Sequence, residues 1–453
     1  MISKIPRIVL AGTNSGCGKT TVSCALMQAL VNRGLKTAAF KCGPDYIDPM
    51  FHSRIIGTKS ANLDSFFLNQ NTLKYLLSQN ASDREISVIE GVMGYYDGIR
   101  MDSFEASTYE IAQITESPVI LVVGARGAAL SVFALIQGFL DFAENSNIRG
   151  VILNQCTAMT YQMLASQIEK RFHGRIRPMG YLPPIPESTI ESRHLGLITA
   201  SEISDLKEKL HRLAEQAEKS IEIDHILQIA EAAPEVCCDE IVLPVFPEKI
   251  RIAVAKDKAF CFYYEDSLDA LKKMGAELVA FSPMEDTQLP EDIQGIYLGG
   301  GYPELYREKL SKNKSMRRQI KAALQNHLPC IAECGGFMYL TEEIAGYPMV
   351  GFLKGKCYDT GKLCRFGYVT LTAEKENLLC KKGESISAHE FHYWDCDDSG
   401  NSFMAKKKSG KSWNCVHTDE FLYAGYPHFH FYANPQFAVN FYKACLKEKN
   451  QND

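Results

Sequence analysis

Arg7-Ile8-Val9-Leu10-Ala11-Gly12-Thr13-Asn14-Ser15-Gly16-Cys17-Gly18-Lys19-Thr20-Thr21 decides the fold of the first half of the chain. The opening apolar run predicts a short buried strand, and Val22, Ala25, Leu26, Ala29 and Leu30 then recur at helical spacing. Strand, Gly-rich loop, Lys-Thr and helix in that order form the P-loop arrangement. Backbone N–H groups and the helix N-terminus cradle phosphate, Lys19 reaches the outer phosphates and Thr20 holds Mg²⁺. The nucleotide-binding candidates are therefore Gly12, Thr13, Asn14, Gly16, Cys17, Gly18, Lys19, Thr20 and Thr21, with ATP as co-substrate and Mg²⁺ as its metal.

The first glycine lies one residue further back than usual, giving G-x5-G-K-T. That longer loop resembles dethiobiotin synthetase and its relatives, which activate a carboxylate or carbamate with ATP. Partitioning ATPases carry an extra lysine early in the loop, where this chain has Asn14, so the sequence argues against membrane or DNA partitioning.

Further strands are expected at Thr37-Ala38-Ala39-Phe40, Ser87-Val88-Ile89, Val119-Ile120-Leu121-Val122-Val123 and Gly150-Val151-Ile152-Leu153-Asn154, alternating with helical patterns. Such alternation implies a parallel sheet whose functional groups gather at the strands' carboxyl ends. Lys41-Cys42-Gly43-Pro44-Asp45-Tyr46-Ile47-Asp48-Pro49 follows the second strand, and Glu90-Gly91-Val92-Met93-Gly94-Tyr95-Tyr96-Asp97-Gly98 follows Ser87-Val88-Ile89. A carboxylate at a strand end beside a phosphate loop suits Mg²⁺, a hard cation that takes oxygen ligands. Glu90 and Asp48 join Thr20 as metal candidates, with Lys41, Asp45, Tyr46 and Asp97 as groups that bind or activate substrate. Asp, Gly and Pro are also ordinary turn residues.

Pro234, Cys237-Cys238, Pro244 and Pro247 interrupt the helical spacing, placing a linker at about residues 233–249 and two domains at 1–235 and 236–453. A second α/β series begins at Arg251-Ile252-Ala253-Val254-Ala255 and reaches Pro329-Cys330-Ile331-Ala332-Glu333-Cys334-Gly335-Gly336. A strand, a lone Cys, two glycines and then Phe337-Met338-Tyr339-Leu340 give the nucleophile-elbow layout, in which a sharp turn exposes the thiol. The N-terminal end of the following helix is expected to favour thiolate. Gly299-Gly300-Gly301 closes the strand before the elbow. Gly300, Gly301 and Gly335 are the candidates for presenting backbone N–H groups to an oxyanion. A thiol nucleophile needs a base, usually His, and late in the chain His428 and His430 both offer one.

The composition fits this reading. With 453 residues, 46% hydrophobic and 23% charged, the chain matches a globular protein of two or three domains. A net charge of −5 with no long basic run speaks against nucleic acid or an anionic membrane. The start lacks the apolar core of a signal peptide, and Pro118 to Leu140 carries Arg126 and several glycines, so no membrane span is expected. Fifteen scattered cysteines without CxxC pairs suggest reduced thiols in a cytoplasm.

Gly43-Pro44-Asp45-Tyr46-Ile47-Asp48-Pro49, the Glu90 to Gly98 stretch, Arg193-His194-Leu195-Gly196-Leu197 and the Cys334 elbow together resemble the cobyrinic acid a,c-diamide synthases over nearly the whole chain. The resemblance implies two parallel-sheet α/β domains, a dethiobiotin-synthetase-like P-loop domain and a flavodoxin-like class I glutamine amidotransferase domain. It implies Cys334 as nucleophile and His428 as its base, Asn154 facing a nucleobase, and Arg193 and His194 at the substrate. The implied substrates are glutamine, ATP and a cobyrinic acid-type tetrapyrrole, amidated on its c and a acetates through an acyl phosphate and channelled ammonia, by a monomer or homodimer. Hydrogenobyrinic acid or nickel sirohydrochlorin would fit the same chemistry; a nucleotide-dependent regulatory protein is the reading from another class. Three departures stand out: Gly124 where relatives often have Asp, Glu191-Ser192 where Pro-Glu is usual, and His430 where many class I amidotransferases carry the Glu of a catalytic triad. The family works without that Glu. Ala388-His389-Glu390-Phe391-His392-Tyr393 resembles a family stretch that positions an interface or substrate, and its spacing fits no common zinc motif.

Overall fold

The computed structural model describes residues 1–188 and 200–452, so Arg193 and His194 lie outside the described residues. The chain forms two compact units, Met1–Ile241 and Val242–Asp453. The division falls after residue 241 rather than after 235 because the segment beyond Pro234 is tied back to the N-terminus. Ile2 and Ser3 pair antiparallel with Cys237 and Val236, and Cys238 N donates to Met1 O at 3.0 Å. Arg7 Nη1 also reaches Pro234 O at 2.8 Å.

The first unit is built on seven parallel strands: β1 (Arg7–Gly12), β2 (Thr37–Cys42), β3 (Lys59–Leu63), β4 (Ile86–Glu90), β5 (Val119–Gly124), β6 (Ile148–Asn154) and β7 (Arg177–Leu182). Their order across the sheet is β3-β2-β4-β1-β5-β6-β7. Strands β1, β2 and β4 are buried along their whole length, as expected of a sheet covered on both faces. Helix α1 (Lys19–Asn32) supplies Val22, Ala25, Leu26 and Ala29 to the core. Leu210, Leu213 and Ala217 of α2 (Ala200–Ser220) join the same core. Strand β3 was not legible: Lys-Ser-Ala-Asn-Leu lacks an apolar run, and as an edge strand it needs none. The register pairs Lys41 with Glu90 and Leu10 with Glu90, so three strand ends converge on the loop that follows β1.

The second unit holds two sheets. The parallel one contains β8 (Ile250–Ala255), β9 (Ala276–Phe281), β10 (Gly295–Leu298), β11 (Cys330–Glu333) and, later in the chain, Leu422–Gly425, in the order β9-β8-β10-β11-Leu422–Gly425. Strand β11 is thus interior to the sheet, and the short helix α3 (Gly335–Leu340) follows its elbow. The other sheet centres on a long antiparallel hairpin, β12 (Lys356–Ala373) and β13 (Ser385–Cys396). Beyond β14 (Leu422–Gly425), which pairs antiparallel at its outer side with the two-residue edge strand His417–Thr418, β15 (His428–Phe429) pairs with β13 through His389 opposite His428. The two sheets therefore meet between Gly425 and His428. No helix among the described residues is long and apolar enough to cross a membrane, and all 15 cysteines are free thiols.

Candidate active sites

The P-loop leaves β1 at Gly12 and turns through Gly16 (φ 84°) and Gly18 (φ 92°) into α1. A Cβ on Gly12 would stand 2.5 Å from Cys17 Sγ, and one on Gly18 would stand 1.8 Å from Asn154 Nδ2, so both must be glycine. Asn154 Nδ2 donates to Cys17 O at 2.9 Å. The residue expected to face a nucleobase thus also braces the loop backbone. Thr13 N donates to Val122 O at 3.2 Å and Tyr95 N to Gly12 O at 2.8 Å, while Asn14 is exposed and donates to Ser15 O. Thr21 follows Thr20 in the first turn of α1.

Lys19 is buried, and its Nζ donates to Met93 O at 2.6 Å. Burial lowers its pKa. Thr20 Oγ1 donates to Glu90 Oε1 at 2.8 Å. The same oxygen accepts from Lys41 Nζ at 2.9 Å, and Lys41 Nζ lies 2.5 Å from Asp48 Oδ2. His52 Nε2 stands 3.2 Å from Glu90 Oε2. Burial alone would raise the Glu90 carboxyl, yet Lys41 and His52 hold it well below the usual carboxylate range. Burial pushes the Asp48 carboxyl up to about 6 against the pull of Lys41, with the Glu90 charge adding to the rise. Lys41 is itself disfavoured by burial but held firmly protonated by its carboxylate neighbours. Glu90 carries the fixed negative charge of the cluster.

These residues fit a Mg²⁺ ion that shares its coordination with phosphate and water. Thr20 and Glu90 offer hard oxygens beside the phosphate cradle, and Glu90 Oε2 faces only His52 Nε2, at 3.2 Å, among the described residues. Asp48 is locked onto Lys41, which sets it behind Glu90 as a ligand. Asp45 Oδ1 accepts from Ile47 N at 2.7 Å and Asp48 N at 3.1 Å, so it shapes the turn into the short helix Ile47–Phe51. Asp97 Oδ2 likewise accepts from Gly94 N at 2.8 Å and closes the loop that carries the Met93 carbonyl. Tyr46 is buried at the start of that helix. Asp45 and Asp97, expected to bind or activate substrate, each also fix a turn through these contacts. His52 was missed; a His one helical turn beyond Asp48 is its only sequence signal.

In the second unit Cys334 has φ 48° and ψ −101°, the strained backbone of an elbow. The strain sits on the cysteine, and the glycines serve close approach. A Cβ on Gly335 would stand 2.8 Å from Pro303 Cδ and 3.1 Å from Gly301 N; one on Gly336 would stand 2.2 Å from Leu298 O. Gly301 N and the Gly335 backbone therefore converge beside the thiol. Gly299 N donates to Tyr263 Oη at 2.8 Å; Gly300, Gly301 and Gly335 remain the oxyanion candidates.

Burial pushes the Cys334 thiol well up, with the nearby Glu304 adding and the Gly335 N–H opposing. Burial thus opposes the thiolate that the N-terminal end of the following six-residue helix is expected to favour. The proton must leave through a base.

His428 is the candidate for that base. A Cβ on Gly300 would stand 2.5 Å from His428 Cε1, so the imidazole packs directly on the glycine run. Its Nδ1 lies 2.9 Å from Glu333 Oε2, a partner that the sequence did not suggest. His430 instead accepts from Tyr432 N at 3.1 Å through Nδ1, and burial holds its pKa down at about 3. The His389–His392 stretch forms a buried network. Glu390 Oε1 accepts from Trp413 Nε1 at 3.2 Å, Glu390 Oε2 lies 3.1 Å from His392 Nε2, and the His392 ring stacks on Tyr426 at 3.9 Å. It supports the turn that leads into His428.

The fold and the two sites define a protein that joins a nucleotide-binding P-loop unit to a glutamine amidotransferase unit. Residues 8–196 match the CobQ/CobB/MinD/ParA nucleotide binding domain, and residues 251–436 match the CobB/CobQ-like glutamine amidotransferase domain. The chain is 40% identical to the cobyrinate a,c-diamide synthase of Clostridium acetobutylicum, over 95% of this chain and 98% of the relative. It is 40% identical to that of Caldanaerobacter subterraneus, over 96% and 98%, and 37% identical to that of Priestia megaterium, over 98% of both. The chain belongs to the cobyrinate a,c-diamide synthase family.

Proposed function

We propose that this chain amidates the a and c acetate carboxylates of cobyrinic acid, using glutamine as nitrogen donor and ATP as activator. The names of its relatives support this choice of substrate. The observation that carries the reaction is the presence, in one chain, of an elbow thiol with a carboxylate-backed histidine and a P-loop whose Thr20 meets a buried carboxylate.

In this reading Cys334 Sγ loses its proton to His428 and attacks the side-chain amide carbon of glutamine. The tetrahedral oxyanion is met by the N–H groups of Gly300, Gly301 and Gly335. Collapse breaks the C–N bond, His428 returns the proton to the leaving nitrogen as ammonia, and water later releases glutamate from the thioester. On the P-loop, Lys19 draws charge from the outer phosphates while the substrate carboxylate attacks the γ-phosphorus of ATP, the bond to the β,γ-bridging oxygen breaks and ADP leaves. The resulting acyl phosphate is an anhydride that ammonia opens to an amide, with loss of phosphate. Mg²⁺, held through Thr20 and Glu90, would neutralise phosphate charge during transfer. Both the anhydride and free ammonia are lost in bulk water, so ammonia passes to the acceptor by a closed path. The enzyme works in the cytoplasm as a monomer or homodimer, on small molecules and not on nucleic acid or membrane.

Mass spectrometry of products from the purified protein with Mg-ATP, glutamine and cobyrinic acid tests this. Two successive losses of about one mass unit, as OH is replaced by NH₂, are expected. Amidation of hydrogenobyrinic acid or nickel sirohydrochlorin alone, run in parallel, would keep the chemistry and change the substrate. No product in any arm would overturn the reading.

A further inference from the structure

Glu333 ends β11 and directly precedes Cys334, so one strand end carries both a carboxylate and the candidate nucleophile. Both oxygens of that carboxylate have partners. Oε2 lies 2.9 Å from His428 Nδ1, and Oε1 accepts from Tyr297 Oη at 2.7 Å. Glu333 and His428 are 2% and 3% exposed, so water does not compete for either contact. A carboxylate against Nδ1 fixes the proton on that nitrogen and leaves Nε2 as the basic one. A Cβ on Gly300 would stand 3.1 Å from that Nε2, so its edge of the ring faces the glycine run that approaches the elbow.

Among the described residues, neither of the two neighbouring candidates takes this position. Two residues after His428 stands His430, whose Nδ1 is held by Tyr432 N. Glu390 is turned to His392 and Trp413. We infer that Glu333 is the positioning carboxylate of the amidotransferase site, completing a Cys334–His428–Glu333 relay from the residue before the nucleophile. This rests on the assignment of Cys334 and His428 above.

The electrostatic argument is direct. A buried thiol gives up its proton only if the acceptor is stabilised once charged, and a buried carboxylate on Nδ1 stabilises imidazolium. The proton moves from Cys334 Sγ to His428 Nε2, then from Nε2 to the departing nitrogen. Glu333 keeps its hydrogen bond to Nδ1 throughout and exchanges no proton.

The test is glutamine hydrolysis by the full chain carrying E333Q or E333D, with ammonia-supported synthesis measured in parallel. E333Q is expected to lower kcat for glutamine by about 100-fold or more while KM changes less than about threefold, since the loss is confined to the charged transition state. The acid limb of the pH profile should move to lower pH, because imidazolium has lost its counter-charge. Ammonia-supported synthesis should continue, and E333D should recover part of kcat. Wild-type kcat with an unmoved acid limb in E333Q would overturn the inference, as would equal loss of both nitrogen sources. If E333Q folds poorly, E333D decides, and wild-type kcat with an unmoved limb there overturns it too. C334A separates the two levels: continued glutamine hydrolysis in C334A would remove the nucleophile assignment itself.

Discussion

Thr20 Oγ1 and Lys41 Nζ both hydrogen-bond to one oxygen of Glu90, at 2.8 and 2.9 Å. A single buried carboxylate thus joins the helix after the P-loop to the end of the neighbouring strand β2. Replacing it by an amide keeps the shape and removes the charge. E90Q is expected to stop ATP-dependent amidation with either glutamine or ammonia, while glutamine hydrolysis by the second unit continues. It leaves the Lys41 ammonium with Asp48 alone, so stability should fall by about 3 kcal/mol, the usual cost of breaking a buried ion pair from one side. Unfolding followed by calorimetry and both nitrogen-source assays check this. Ammonia-supported synthesis at the wild-type rate would sink the metal and phosphate role of Glu90.

The two carboxylates on Lys41 carry opposite pH signatures. The Glu90 carboxyl is depressed, so its contribution is present above its unfolded value and lost as pH falls. Asp48 is the reverse: its carboxyl rises from 3.8 to about 6, so folding is favoured below 3.8 and that advantage is lost as pH rises through 6. D48N lacks that titration. Relative to wild type it should gain stability between pH 4 and 6, by about 1–3 kcal/mol at pH 8 on the scale of 1.36 kcal/mol per pKa unit. Urea unfolding at pH 5 and pH 8 measures the change. A D48N deficit that grows with pH would show that ionised Asp48 is instead a net support for Lys41.

Glycines of the elbow and of the P-loop should differ sharply in tolerance. A Cβ on Gly336 meets backbone, 2.2 Å from Leu298 O, whereas one on Gly335 meets the Pro303 ring at 2.8 Å. At Gly16 nothing lies within 4 Å and only the φ of 84° opposes a side chain. G336A is therefore expected to cost about 3 kcal/mol or more by displacing a strand carbonyl, and G16A about 1 kcal/mol from backbone strain alone. Thermal unfolding of the two variants tests the order, and equal losses would contradict the packing at Gly336.

The sequence made legible what acts over a few contiguous residues. The strand, loop and helix of the P-loop lie within Arg7–Asn32, and Cys334 announces itself through the glycines beside it. Glu333 was illegible as a partner because only the pairing of β13 with His428 and of β11 with β14 brings residues 333 and 428 together. Asp45 and Asp97 drew attention as carboxylates near a phosphate loop, yet short Asp side chains serve turns equally well, and the backbone N–H groups they accept from show that turn role at both positions. The β12–β13 hairpin escaped because its register breaks between Asp359 and Gly367 and much of β12 is exposed, which removes the alternation that marks a strand.

His428 and His430 are the closest test of what geometry adds to position. They stand two residues apart and both are buried, but only His428 faces a carboxylate and lies on the glycine run. His430 acts on the backbone, accepting from Tyr432 N at the start of the short turn Phe431–Ala433. H428A is expected to abolish glutamine hydrolysis, with a loss of about 100-fold or more for a missing general base, and to leave ammonia-supported synthesis. H430A removes a hydrogen-bond acceptor from a buried N–H and should cost about 1–3 kcal/mol of stability, with the kcat for glutamine of the folded fraction within a few-fold of wild type. Stopped assays of glutamate release at matched folded concentration, read beside the unfolding curves, separate catalytic from structural loss. If H430A instead lost hydrolysis as fully as H428A while staying folded, proton transfer would have to run through both rings, and Glu333 would be backing only one of them.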